Sequence, residues 1–138
     1  MNYLFLAGNV PSSKNSNTWT GKFLVKSKTC QRYIKDFGIQ YNLNCENFKE
    51  MFSQGKPVKV GMYFVRDSKR RFDYINACQI VADLMVKAEW IEDDNADFFV
   101  PVFLGYSVDK DNAGVYLVPQ QKESFIFSIE PNFTKLLK

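Results

Sequence analysis

Cations and carboxylates follow one another closely in the middle of this chain. Lys69, Arg70 and Arg71 run almost directly into Asp73. Further on, Asp93 and Asp94 sit in a stretch, 89–97, with five acids in nine residues. Oxygen ligands of this kind suit Mg²⁺, which usually takes one or two carboxylates plus waters and phosphate oxygens. A divalent ion held beside a phosphodiester can activate water and stabilise the leaving oxygen. Cations next to it would grip the phosphate backbone. Asp73, Asp93 and Asp94 are therefore candidate catalytic and metal-binding residues. A plainer reading competes with this one: Asp73 caps a helix, and 93–95 is an ordinary acidic turn.

These residues need elements to position them. Residues 58–65 alternate between apolar Val58, Val60, Met62, Phe64 and their neighbours, which is the period of a half-buried strand. A helix follows Asp73, with Ala77, Ile80, Val81, Leu84 and Met85 as its buried stripe. Asn76, Gln79, Asp83 and Lys87 form a separate polar stripe on the same helix. Carboxylates before and after this helix can converge if the strands entering and leaving it pair side by side. Strands are also expected at 3–7, 22–26, 98–106, 114–119 and 124–130. Residues 8–20, rich in Gly, Pro, Ser and Asn, read as loop. Ser27 is placed to cap a helix carrying Cys30, Ile34, Phe37 and Tyr41 on one face, and a shorter helical piece covers 46–52. The order β–α–β–α–β–β–β implies a mixed α/β sheet with helices on one face, in a single domain over 1–138.

Bulk composition narrows the chemistry. The chain has 138 residues and no His, so Ser-His-Asp and Cys-His catalysis and His-liganded zinc are excluded. Three cysteines without a Cys-x-x-Cys pair make a poor disulfide framework and fit a reducing, cytoplasmic setting. No apolar run approaches the roughly 20 residues that span a membrane. The net charge of +3 hides an asymmetry: residues 1–72 hold thirteen Lys/Arg against four Asp/Glu, and 73–138 hold five against eleven. A basic half of +9 beside an acidic half of −6 points to a polyanionic partner, or to two solvated faces that offset each other.

The run Lys69-Arg70-Arg71-Phe72-Asp73-Tyr74-Ile75-Asn76, then about ten helical residues, then Lys87-Ala88-Glu89-Trp90-Ile91-Glu92-Asp93-Asp94, resembles the RusA family of Holliday-junction resolvases. That pattern is a basic run, Asp-x-Asp-Asn, a helix carrying Lys, and an Asp-Asp turn. Val10-Pro11-Ser12-Ser13-Lys14-Asn15 is similar to the family's early Pro-Pro-Ser-x-Asn loop. Residues 21–32 and 57–60 fit its next elements in order, so the likeness covers residues 4 to about 120. It implies a RusA-like fold and a homodimer. It also implies a Mg²⁺- or Mn²⁺-dependent endonuclease that nicks opposed strands of four-way DNA junctions in recombination and repair, common in phages. The first Asp of the pair falls on Asp73, the following Asn on Asn76, and the late acid on Asp94 with Asp93 beside it.

Two positions depart from the pattern. Ile75 stands where the second Asp is expected, and Gln79 where the helix Lys is expected. Asp93, Asp97 or Asp83 could supply the missing carboxylate, with Asn76 and Gln79 supporting the ligands. Otherwise the chain binds branched DNA without cutting it. The leading DNA-binding candidates are Lys69, Arg70 and Arg71, followed by Lys14, Lys22, Lys26, Lys28 and Arg32. Trp19 could stack on an unpaired base or anchor its loop. A protein-interaction module with no nucleic-acid role is the reading from a different class.

Overall fold

A computed structural model describes residues 2–12, 17–19 and 24–120. The chain runs β1 (Leu4–Ala7), β2 (Asn17–Trp19), β3 (Leu24–Lys26), α1 (Lys28–Phe37), α2 (Ile39–Leu43), α3 (Cys45–Met51), β4 (Val58–Arg66), α4 (Tyr74–Lys87), β5 (Phe99–Val108) and β6 (Gly114–Pro119). A short 3₁₀ turn, Lys110–Asn112, links the last two strands. Four strands form one mixed sheet in the order β1-β6-β4-β5, and β2 pairs with β3 in a separate ribbon. The fold is mixed α and β, as the sequence implies.

β4 is the keystone because its neighbours on both sides extend its apolar face. Met62 lies opposite Leu117 of β6 and Phe103 of β5, and Leu117 in turn lies opposite Leu4 of β1. Leu6, Val60, Phe64 and Val115 complete this face, and it joins the buried residues of the helices in one core. β4 is more deeply buried than a half-exposed strand, since a central strand has neighbours along both edges.

The helices follow their local chemistry. Ser27 caps α1, its Oγ accepting from the Cys30 amide at 3.2 Å. The apolar spacing from Cys30 to Tyr41 predicts one continuous helix, but the chain breaks it at Gly38. A Cβ at Gly38 would sit 2.4 Å from the Ile34 carbonyl oxygen, so only glycine fits there. The break still delivers Tyr41 to the core, where its hydroxyl meets that of Tyr33 at 2.9 Å. Burial pushes the Tyr33 hydroxyl up to about 12 and the Tyr41 hydroxyl well above its ordinary value. Trp90 donates its indole N–H to the Tyr41 carbonyl and stacks on Phe48 at 4.8 Å.

All five residues expected in the α4 stripe are buried. The helix ends in a left-handed residue, Glu89, with φ of 64°. The Trp90 amide reaches back to the Met85 carbonyl and the Glu89 amide to Val86, a Schellman-type end. That turn throws Trp90 into the core.

Other expectations shift by a residue or two. The first strand starts at Leu4, β5 runs two residues past the expected end, and the expected 8–20 loop contains β2. The strand expected at 124–130 lies outside the described residues. Cys30, Cys45 and Cys78 form no disulfide with one another, and Cys30 and Cys78 are buried. Among the described residues, no helix is long and apolar enough to cross a membrane.

Candidate functional site

β4, α4 and β5 form one β–α–β unit, and the two strands pair in parallel from Val58 opposite Phe99 to Arg66 opposite Val108. The strands entering and leaving α4 therefore do lie side by side. A parallel crossover nevertheless puts the ends of its helix at opposite ends of the sheet, and 14 residues of helix measure about 21 Å. Segment 91–98 shortens that gap. It runs back along α4 until Asp94 reaches Gln79, two turns before the helix end.

The structure thus draws together a group different from the one expected. Gln79 uses its one amide nitrogen to bridge two carboxylates, donating to Asp83 Oδ1 at 2.7 Å and to Asp94 Oδ2 at 2.8 Å. Asp83 is one turn along the polar stripe, which is why it shares this face. Asp73 is not part of the cluster. It occupies the cap position of α4, but its side chain makes no capping bond and accepts instead from Arg71 Nη2 at 3.4 Å. Asp93 is turned into its own loop, where Oδ1 accepts from the Asp94 amide at 2.8 Å and Oδ2 from the Asn95 side chain at 3.2 Å. The Asp97 amide donates to Asn95 Oδ1, and Asp97 is exposed. Asn76 is half-buried on the stripe. Asp73, Asp93 and Asp94 therefore present three separately engaged carboxylates, and among the described residues no three acids, cysteines or histidines form a ready metal group.

Two carboxylates converging on one nitrogen nonetheless suit a hard cation, because Mg²⁺ needs only one or two from the protein. Asp83 and Asp94 are the pair that would hold it. In the structure the neutral amide of Gln79 stands between them and supplies two donors where a cation would supply charge. Ile75, at the position of the expected second carboxylate, is 69% exposed and offers no ligand. It borders a cavity of about 180 Å³ together with Tyr74, Cys78, Gln79, Asp94 and Phe103. Burial pushes the Cys78 thiol up to about 11, so at neutral pH it is an inert apolar wall.

Lys69, Arg70 and Arg71 are all exposed on the turn that leads from β4 to α4. Lys28 and Arg32 are exposed on α1. Arg32 lines a mixed-charge cleft with Asp36, Asp67, Lys110 and Asp111, where carboxylates offset its charge. Lys14 and Lys22 lie outside the described residues. Lys26 closes β3, and Trp19 closes β2.

Two features escape sequence reading. Arg66 is an interior cation, 5% exposed, at the end of an apolar strand. Its Nη1 donates to the Val10 carbonyl at 2.7 Å, its guanidinium lies 4.6 Å from the Phe72 ring centre, and its Nε has no partner. Burial lowers its pKa, partly offset by Asp67. The only available signal is a charge placed directly after the period-two run 58–65. The second feature is a cleft of about 530 Å³ at the opposite end of the sheet, walled by Phe48, Phe52 and Trp90 and gated by an ion pair of Lys56 with Glu92.

No protein-family model matches this chain, and a search of curated proteins finds no match. The functional reading therefore stands on the geometry and on the order of the motifs.

Proposed function

We propose that this protein is a metal-dependent endonuclease of branched DNA, acting on four-way junctions as a homodimer in the cytoplasm. The observation that carries the reading is the convergence of Asp83 and Asp94 on Gln79, on the α4 polar stripe, with an exposed triple cation at the head of the same helix. Asp83 and Asp94 would hold Mg²⁺ or Mn²⁺, which when bound supplies an activated water and charge stabilisation at the leaving oxygen. Lys69, Arg70 and Arg71 orient the phosphate backbone, and Arg71 keeps the Asp73 carboxylate beside that path. Asp73 and Asp93 support this arrangement at its edges.

A specific observation favours a second reading. Ile75 leaves the expected ligand position apolar, and Asp73 is already paired with Arg71. On that reading the chain holds branched DNA and does not cut it. One experiment separates the two. Four-way junction and linear duplex are incubated with the protein across a salt series, with and without Mg²⁺ or Mn²⁺. The enzyme reading predicts junction-selective nicks, with affinity falling by orders of magnitude from low to moderate salt. Tight junction binding with no nick at any metal concentration supports the second reading. Equal affinity for junction and duplex would sink both.

A further inference from the structure

Four apolar residues beside the site are too exposed for a satisfied core. Tyr74 is 41% exposed, Phe103 37% and Tyr106 54%, and Ile75 is the most exposed of them. Single exposed apolar residues are common, but a contiguous group next to a functional site is not. These rings are contiguous. Tyr74 stacks on Phe103 with centroids 4.1 Å apart and planes within 22°. Phe72 links them to Tyr106 at 5.2 Å, and is itself held from below by the edge of Phe64 and the guanidinium of Arg66. The result is a firm aromatic shelf that runs from the head of α4 to β5.

Charge and shape restrict what such a shelf takes. Arg71 immediately precedes Phe72, so the exposed cations of the turn adjoin the rings in the chain. The shelf also borders the 180 Å³ cavity, whose polar lining comes from Gln79 and Asp94. That volume is below the range for drug-sized ligands and suits one planar ring system. Flat aromatic faces beside a cationic track are what unpaired nucleic acid requires, since every base has a face to stack and a phosphate to neutralise. A base still paired in a duplex cannot reach such a surface without leaving the stack.

We infer that the Tyr74–Phe103–Tyr106 shelf is a stacking site for an unpaired nucleobase, whose phosphate lies on Lys69, Arg70 and Arg71. This rests on the DNA-binding reading above and adds to it how the protein tells a branch or single strand from intact duplex. Each pre-stacked ring offers its open face without first being ordered, so stacking is not spent on fixing the side chain.

The test uses the full chain and three probes: a four-way junction, a linear duplex and a single strand, each with 2-aminopurine at the branch or centre. Wild-type protein is expected to quench 2-aminopurine in the junction and the single strand, and to leave the emission of the duplex probe, already low from stacking between its own bases, unchanged. Tyr74→Ala should weaken binding of those two probes by about 5- to 100-fold and abolish the quench, with duplex affinity unchanged. Tyr74→Phe should behave as wild type, which separates stacking from misfolding. Wild-type binding of Tyr74→Ala and Tyr106→Ala to all three probes would overturn the shelf while leaving the DNA reading intact. A wild-type protein that binds no probe overturns both. If Tyr74→Ala instead turns a dimer into a monomer by sedimentation, the shelf is a subunit contact and the inference fails.

Discussion

Replacing Gln79 by Ala tests the cluster at its centre. The substitution removes one nitrogen that donates to Asp83 at 2.7 Å and to Asp94 at 2.8 Å. A hydrogen bond to a charged acceptor contributes about 1.5–3 kcal/mol when buried. Gln79 is exposed and both acids are only half-buried, so water competes and about 0.5–1 kcal/mol per bond is the appropriate scale. Removal also leaves two carboxylates facing each other with nothing between them, which adds repulsion. Alanine's higher helix propensity returns a few tenths of a kcal/mol. The expected net loss is about 1–1.5 kcal/mol in urea unfolding without divalent metal. A double-mutant cycle with Asp94→Asn isolates the pairwise part, which should be about 0.5–1 kcal/mol. If Asp83 and Asp94 hold a cation, added Mg²⁺ should restore more stability to Gln79→Ala than to wild type. A coupling energy of zero, with equal response to Mg²⁺, would refute the reasoning.

Two further predictions concern the scaffold. Glu89 holds a left-handed φ of 64°, which costs a side-chain-bearing residue about 1–2 kcal/mol. Glu89→Gly should therefore raise stability by about 0.5–1 kcal/mol in urea unfolding, after glycine's own entropy cost, and a loss would contradict the Schellman-type assignment. Burial raises the Cys78 thiol to about 11 and the Tyr33 hydroxyl to about 12. Both groups then hold their protons in the folded state at a pH where the unfolded chain releases them. Their contribution to stability is intact below about pH 9 and declines as pH rises through 9 to 12. Urea midpoints at pH 8, 9.5 and 11 should fall steadily, and Cys78→Ala should flatten the lower part of that fall; a flat wild-type profile would contradict it.

The parts of the fold that were legible in the sequence are those where local pattern and tertiary packing agree. The α4 stripe of Ala77, Ile80, Val81, Leu84 and Met85 is buried as its spacing requires, and Ser27 caps α1 through the bond its position predicts. The break at Gly38 was not legible, because apolar spacing continues unchanged across it and only the approach of the Ile34 carbonyl forbids a longer residue. The candidate site shows the same limit. Motif order points to Asp73 with Asp94, whereas the structure seats Asp94 on Gln79 and Asp83. The cause is the path of segment 91–98, a loop whose return along α4 is set by turns such as the Phe98 and Phe99 amides on the Asn95 carbonyl. No periodicity encodes that path. Arg66 was equally hidden, since its partners, Val10 and Phe72, are brought to it by the fold alone.

Cleavage of a labelled four-way junction by wild-type protein and by Asp83→Asn, under single-turnover conditions with Mg²⁺ or Mn²⁺, tests the central claim most directly. The account predicts junction-selective nicks by wild type and a loss of orders of magnitude in rate for Asp83→Asn at undiminished junction affinity. Nicking by Asp83→Asn at the wild-type rate, or no nicking by wild type with either metal, would contradict it.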